Sequence, residues 1–250
     1  MNSVRGRYTL ENWLMFLCII IVASILQAST GFGFSIMATP FLLMLFLPHE
    51  AIQINIVLSL LISLILIFKV KNDVDFALLK RFIIGSIIGA PLGLFIFMSM
   101  NLNTLKLGVG ILLLVLTALL MSNVQIKSTR VRDFIVGGIS GVLTTSIGMP
   151  GPPLLLYFTG TNTEKGKLRA TSLAFYLFIF SVSLITQIFF MGTNNIVWQS
   201  SLYALPIALV GLYIGQIIFK KLNQQLFRIF IYMLLICTGV FLLIDSLGSL

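Results

Sequence analysis

Long apolar runs separated by short polar clusters dominate this chain. A helix needs roughly 20 apolar residues to cross about 30 Å of hydrocarbon. Residues 51–68, 82–98, 106–121, 170–191, 196–219 and 229–244 read as full spans, with Lys106 as an anchor at the start of one. Two further apolar regions are interrupted. Residues 13–47 break at Ser29, Thr30, Gly31, Phe32 and Gly33; residues 134–159 break between Thr144 and Pro153, where two glycines and three prolines cluster. Such density interrupts a helix through backbone entropy, missing N–H donors and ring clash, so each region is predicted to form a hairpin of two shorter helices.

The polar positions between the runs carry the topology. Basic residues fall in four groups: Lys69, Lys71, Lys80 and Arg81; Lys127, Arg130 and Arg132; Lys165, Lys167 and Arg169; Lys220, Lys221 and Arg228. Cytoplasmic loops are enriched in lysine and arginine, which places all four groups on one side. Region 134–159 must then enter and leave on that side, as an even-numbered hairpin. Treating 13–47 alike puts both termini outside and leaves Arg5 and Arg7 against the trend. An odd first region would accommodate those two charges but make the halves unlike, so the even version is preferred.

Composition changes the picture in one respect: it excludes water as the solvent. Of 250 residues, 58% are hydrophobic and 9% charged, against about 45–50% and about 25% in soluble domains. There is too little polar side chain to cover a compact body. A net charge of +9 would suit nucleic acid, but its clustering between apolar runs is that of membrane loops, and no nucleic-acid partner is expected. Cys18 and Cys237 lie inside apolar stretches and imply no disulfide framework. The first apolar run lacks a small-residue cleavage site and is expected to be retained.

The two halves resemble each other. Gly89 and Gly93 recur 122 positions later as Gly211 and Gly215, and Asn101 and Lys106 recur as Asn223 and Arg228. Around the breaks the offset is about 115, pairing Thr30 with Thr145 and Gly33 with Gly148. The division expected is a first transmembrane repeat over 1–121, a cytoplasmic linker over 122–132 and a second repeat over 133–250. Each repeat would hold one broken-helix hairpin and three transmembrane helices. Five passes is an odd number, so the second repeat lies upside down relative to the first. The predicted fold is an all-α polytopic membrane protein of two inverted repeats, the arrangement in which secondary transporters build a midplane site.

Unpaired backbone at membrane depth is tolerated only where it faces protein or a wet cavity, so the breaks mark the candidate site. Helices starting after Gly33 and near Pro152 and Pro153 would offer N–H groups and partial positive charge, which suits an anion. Candidate substrate-binding residues are Thr30, Gly31, Gly33 and Ser35 in the first break and Thr144, Thr145, Ser146 and Gly148 in the second. Gln27, Asn55 and Thr171 are candidates for cavity lining. Gln27 and Asn55, with Gln187 and Gln216, have interhelical hydrogen bonding as the commoner alternative. No apolar span carries an acid at its centre to meet a cation, and no fixed cation is evident deep in the spans. Gly85, Gly89, Gly93, Gly211 and Gly215 fit close helix packing. His49, the only histidine, sits beside Glu50 in a short loop and is read as solvated. No catalytic residue, metal ligand set or cofactor motif is visible, so an enzyme is not expected.

The stretches from Leu26 to Ser35 and from Gly141 to Pro153 resemble the paired glycine-rich motifs of the TauE/SafE sulfite exporter family. So do Gly85 to Gly93 and the span start Arg169, Ala170, Thr171, Ser172. The resemblance covers nearly the whole chain. It implies a multi-pass transporter of the cytoplasmic membrane that moves sulfite, sulfoacetate or another organosulfonate by alternating access. The motif positions carry over to Thr30, Gly31 and Gly33 and to Thr145, Ser146 and Gly148; Met149 and Pro150 stand where the family has glycine. A carrier or channel for another small anion is the alternative, with an integral-membrane enzyme a weaker one. The partners expected are a small anionic substrate and the lipid bilayer, with a homodimer left open.

Overall fold

The computed structural model describes residues 10–99, 102–122, 125, 127–221 and 224–248. Within them the chain is all α, with no strand: α1 (Leu10–Thr30), α2 (Phe34–Leu45), α3 (Pro48–Val70), α4 (Phe76–Ser99), α5 (Leu102–Met121), α6 (Arg130–Ile147), α7 (Gly151–Gly160), α8 (Lys165–Met191), α9 (Asn195–Lys221) and α10 (Gln224–Gly248). The six predicted spans lie in α3, α4, α5, α8, α9 and α10. Five helices (α1, α3, α4, α8 and α9) are long and apolar enough to cross a membrane. Large apolar side chains cover their outer faces, Ile88 and Phe95 on α4, Ile185 and Phe189 on α8, Leu202 and Tyr213 on α9. This is a polytopic membrane protein. Arg5, Arg7, Asn101 and Asn223 lie outside the described residues, as do the side chains of Lys220, Lys221 and Arg228.

The broken regions differ from expectation in one way. Only their second limbs are short, α2 with 12 residues and α7 with 10, whereas α1 has 21 and α6 has 18. Serine and threonine near the breaks lie within the helices and extend them. The hydroxyls of Ser24, Thr144 and Ser146 donate to the carbonyls of Ile20, Ser140 and Val142, four residues back. In a dry interior that bond satisfies the side chain without leaving the helix.

Packing is organised by exchange between halves. α1 lies on α9 and α4 on α6, while α3 meets α8, α5 meets α10 and α2 meets α7; swapping the first five helices for the last five reproduces this set. Glycines bring the backbones together. A Cβ on Gly85 or Gly89 would overlap the carbonyl oxygens of Phe134 or Gly138, and one on Gly93 would overlap Val142 and the Thr145 hydroxyl. Across the other pair, a Cβ on Gly211 would sit 2.8 Å from the Ile21 carbonyl oxygen and one on Gly215 2.5 Å from that of Ile25. Residue numbers rise together in both contacts, so α4 runs parallel to α6 and α1 parallel to α9.

Polar contacts collect at two opposite ends. At one, Lys69 donates to Gln216 at 2.7 Å, Lys167 pairs with Asp75 at 2.9 Å and Arg81 pairs with Asp133 at 2.6 Å. At the other, Asn194 donates to Glu50 at 2.7 Å, Gln53 to the Gly192 carbonyl at 2.9 Å, and Lys106 pairs with Asp245 at 2.5 Å. α3 and α8 each pass from one end to the other. Three basic groups are therefore neighbours at one end, where α6 begins and to which the chain returns for α8. The first hairpin does the reverse: α1, parallel to α9, starts at the end where α3 also starts.

Gly89→Ala should lower the unfolding free energy by about 1–3 kcal/mol, the usual cost of overpacking. Gly108→Ala, where a Cβ meets nothing within 4 Å, should leave it unchanged or raise it by up to about 1 kcal/mol through helix propensity. Thermal unfolding of both variants in detergent checks the contrast; equal midpoints would contradict it.

Candidate functional site

The first break spans three residues. Gly31 and Gly33 hold φ of 86° and 120°, values an L side chain rarely adopts. The Gly31 N–H donates to the Gln27 carbonyl at 2.8 Å, closing α1. The Phe32 N–H donates to the Thr30 hydroxyl at 3.0 Å, and that hydroxyl donates to the Phe32 carbonyl. Gly33 caps α2, leaving the N–H groups of its first turn, including that of buried Ser35, without helical acceptors. Gln27 ties this limb to α3, donating to the Ser63 hydroxyl at 2.8 Å and the Ser59 carbonyl at 3.3 Å.

The second break is held by its carbonyl end. Gly148, at φ 72°, donates to the Thr144 carbonyl at 2.8 Å in a left-handed cap. Three side chains from the central helices satisfy the remaining acceptors. Asn55 of α3 donates to the Gly148 carbonyl at 2.8 Å, Ser183 of α8 to that of Thr144 at 3.3 Å and Gln187 of α8 to that of Thr145 at 3.1 Å. The Thr145 hydroxyl bonds the carbonyls of Ala90 and Gly141 at 2.8 and 2.9 Å, locking α6 to α4. All three hydroxyls of Thr144, Thr145 and Ser146 thus donate to carbonyls. α7 starts at Gly151, and its next two residues are Pro152 and Pro153. Proline has no N–H, so this helix start offers the Gly151 donor where the sequence reading anticipated several.

Between the breaks the starts of α2 and α7 meet. A Cβ on Gly151 would sit 3.4 Å from Ile36 of α2 and 3.2 Å from the hydroxyl oxygen of Tyr176 on α8. At about 1.5 Å per residue, α2 and α7 are about 18 and 15 Å long, half a membrane each, and Tyr176 lies near the middle of α8. Arg169 departs furthest from the sequence reading. Grouped there with loop cations, it is 5% exposed, and its Cα and Cγ would lie 2.7 Å from a Cβ on Gly31. A buried cation therefore stands against the first break, four residues into α8 and toward its basic end. It was hidden because four residues after Lys165 looks like a loop, whereas α8 already starts at Lys165.

The candidate residues do not form one cluster. Arg169 touches Gly31 while Ser183, fourteen residues further along α8, touches Thr144, so about 21 Å of helix separates those contacts. Thr171 faces the loop before α4, accepting the Asp75 N–H at 3.0 Å. Lys167, hydrogen-bonded to Asp75, holds that carboxyl below its ordinary value of 3.8. Lys106 lines a small cavity with Thr39, Pro40, Ile147 and Met149 beside the second break.

An apolar exterior around the ten helices of the described residues, two of them half-length and starting at mid-bundle, defines an integral multi-pass membrane protein with a discontinuous-helix centre. The chain belongs to the sulfite exporter TauE/SafE family, a family of membrane transporters, whose family model matches residues 16–242 and so reaches from α1 to α10. Comparison with curated proteins and with solved structures returns no match.

Gly31→Ala should destabilise the fold by about 1–3 kcal/mol, since it combines a disfavoured φ with a clash against Arg169. Asn55→Ala should cost a similar amount, about 1–3 kcal/mol, by leaving the buried Gly148 carbonyl unpaired. Detergent melting curves read both; a parent-like midpoint for either would overturn that residue's part in holding the breaks.

Proposed function

We propose that the chain is a secondary carrier that moves a small sulfur-containing anion, such as sulfite, sulfoacetate or another organosulfonate, across the cytoplasmic membrane by alternating access. The observation that carries this reading is the meeting of the α2 and α7 starts at the centre of the bundle. Helix starts present N–H groups and partial positive charge to a common point. No acid opposes them there: the buried carboxylates Glu50 and Asp133 sit at the starts of α3 and α6, bonded to Asn194 and to Arg81. The family supplies the class of cargo. Ser35, Gly33 and Gly31 belong to the near side of this site; Gly148 shapes the far side, and Thr30, Thr144, Thr145 and Ser146 support it from the helix ends.

Alternating access draws support from the two polar ends. Residues 1–121 and 133–250, joined by the linker 122–132, act as inverted repeats. The contacts Lys69–Gln216, Asp75–Lys167 and Arg81–Asp133 at the basic end each join one half to the other, as do Glu50–Asn194 and Lys106–Asp245 at the opposite end. Each end is held by a few separate polar contacts between the halves rather than by a continuous apolar seam, and the partly exposed Asp75–Lys167 pair contributes only about 0–1 kcal/mol. One set can therefore open while the other holds, exposing the centre to each side in turn. The basic end faces the cytoplasm.

Purified protein in liposomes preloaded with sulfite or a short alkylsulfonate should accumulate the labelled anion by counterflow, saturably and with competition among sulfur anions. Flux that rises linearly with concentration and shows no counterflow would make the protein a channel and overturn the carrier reading.

A further inference from the structure

One face of α8 passes both breaks. At 3.6 residues per turn, Arg169, Ser172, Tyr176, Ser183 and Gln187 fall within about 60° of one another. The far pair is occupied, since Ser183 and Gln187 hold the carbonyl end of α6. The near trio is arranged differently. Ser172 is fully buried and Tyr176 is 2% exposed, yet neither hydroxyl has a hydrogen-bond partner. A buried hydroxyl left unpaired is destabilising, and each one in a folded protein calls for an explanation. The Tyr176 hydroxyl lies at Gly151, whose N–H opens α7. The ring is held in place by Phe175 and Phe180, with centroids 6.4 and 5.4 Å away.

We infer that this face of α8 recognises the transported anion: the hydroxyls of Ser172 and Tyr176 and the Gly151 N–H donate to its oxygens, and Arg169 supplies the positive charge toward the basic end. The inference rests on the carrier reading above and adds the residues that select the cargo. All four groups are donors, so the site takes an oxyanion with several acceptor oxygens, such as sulfite or the sulfonate head of a short alkylsulfonate. Charge-assisted hydrogen bonds of this type are the strong ones. Arg169, nearer the basic end of α8, draws the anion toward the first break, and Tyr176 meets it at mid-bundle.

The deciding variants are Tyr176→Phe and Ser172→Ala, since each removes a hydroxyl that no protein group uses. A purely structural role leaves their affinity for sulfite and methanesulfonate unchanged. Recognition predicts unchanged or higher melting temperature without ligand, together with a dissociation constant raised about tenfold or more for Tyr176→Phe, the range for a lost hydrogen bond to a charged partner. Arg169→Gln should abolish saturable counterflow, and Arg169→Lys should restore part of it. Parent-like affinity for sulfite and methanesulfonate in well-folded Tyr176→Phe and Ser172→Ala overturns this inference alone. Absence of saturable counterflow in the parent protein overturns the carrier reading and this inference with it.

Discussion

In hydrocarbon, every backbone N–H and C=O has to find its partner within the protein. A helix that stops at mid-bundle violates that requirement unless neighbouring side chains meet its open end. The second break depends on Asn55, Ser183 and Gln187, which reach in from α3 and α8 to the carbonyls of Gly148, Thr144 and Thr145. Those bonds draw the two central helices toward the breaks and leave the opposite sign of backbone group, the N–H ends of α2 and α7, facing inward. The carbonyl end of α6 is tied to protein, while the starts of α2 and α7 meet between the breaks. An anion is the complement of that arrangement.

Close approach of helices is the second constraint, and it falls on glycine. Gly85, Gly89 and Gly93 let α4 lie against α6, and Gly211 and Gly215 let α9 lie against α1. Because each pair joins one half of the chain to the other, the halves are interleaved. Lipid offers no hydrophobic drive for helices to associate, so small residues and the contacts they permit carry the cohesion. Gly31 does the same work on a smaller scale, letting Arg169 press against the first break where any Cβ would collide.

Much of this was legible in the pattern of residues. Four of the six predicted spans, in α3, α4, α8 and α9, are helices long and apolar enough to cross, and the other two lie within the helices α5 and α10; both breaks and the packing glycines also followed from run length and from where glycine and proline fall. The neighbouring basic ends followed from charge clusters alone. The limits of the reading have physical causes. Ser29 and Thr144–Ser146 fall in the interrupted stretches, yet they continue the helix by donating to carbonyls of the preceding turn, and Thr30, the last residue of α1, donates forward to the Phe32 carbonyl. Pro152 and Pro153 mark a helix start correctly and also strip it of donors. Arg169 reads as the third cation of a loop; its burial depends on where α8 begins, a boundary that apolar periodicity does not locate. Ser172 and Tyr176 carry no signal in sequence, because an unpaired hydroxyl is a property of three-dimensional surroundings. Spacing from Arg169 at three and seven residues was the one available hint, a common face at the start of the span predicted over 170–191.

The central claim is that an anion sits where α2 and α7 begin, against α8. Selenite, the heavier analogue of sulfite, locates it directly through the anomalous scattering of selenium in crystals of the protein grown with it. The account predicts one peak within hydrogen-bonding distance of Gly151 and the Tyr176 hydroxyl, lost in crystals of Tyr176→Phe grown with the same selenite concentration. A peak at the Thr144–Ser146 hydroxyls, or in the cavity beside Lys106, with none at Gly151, would contradict it.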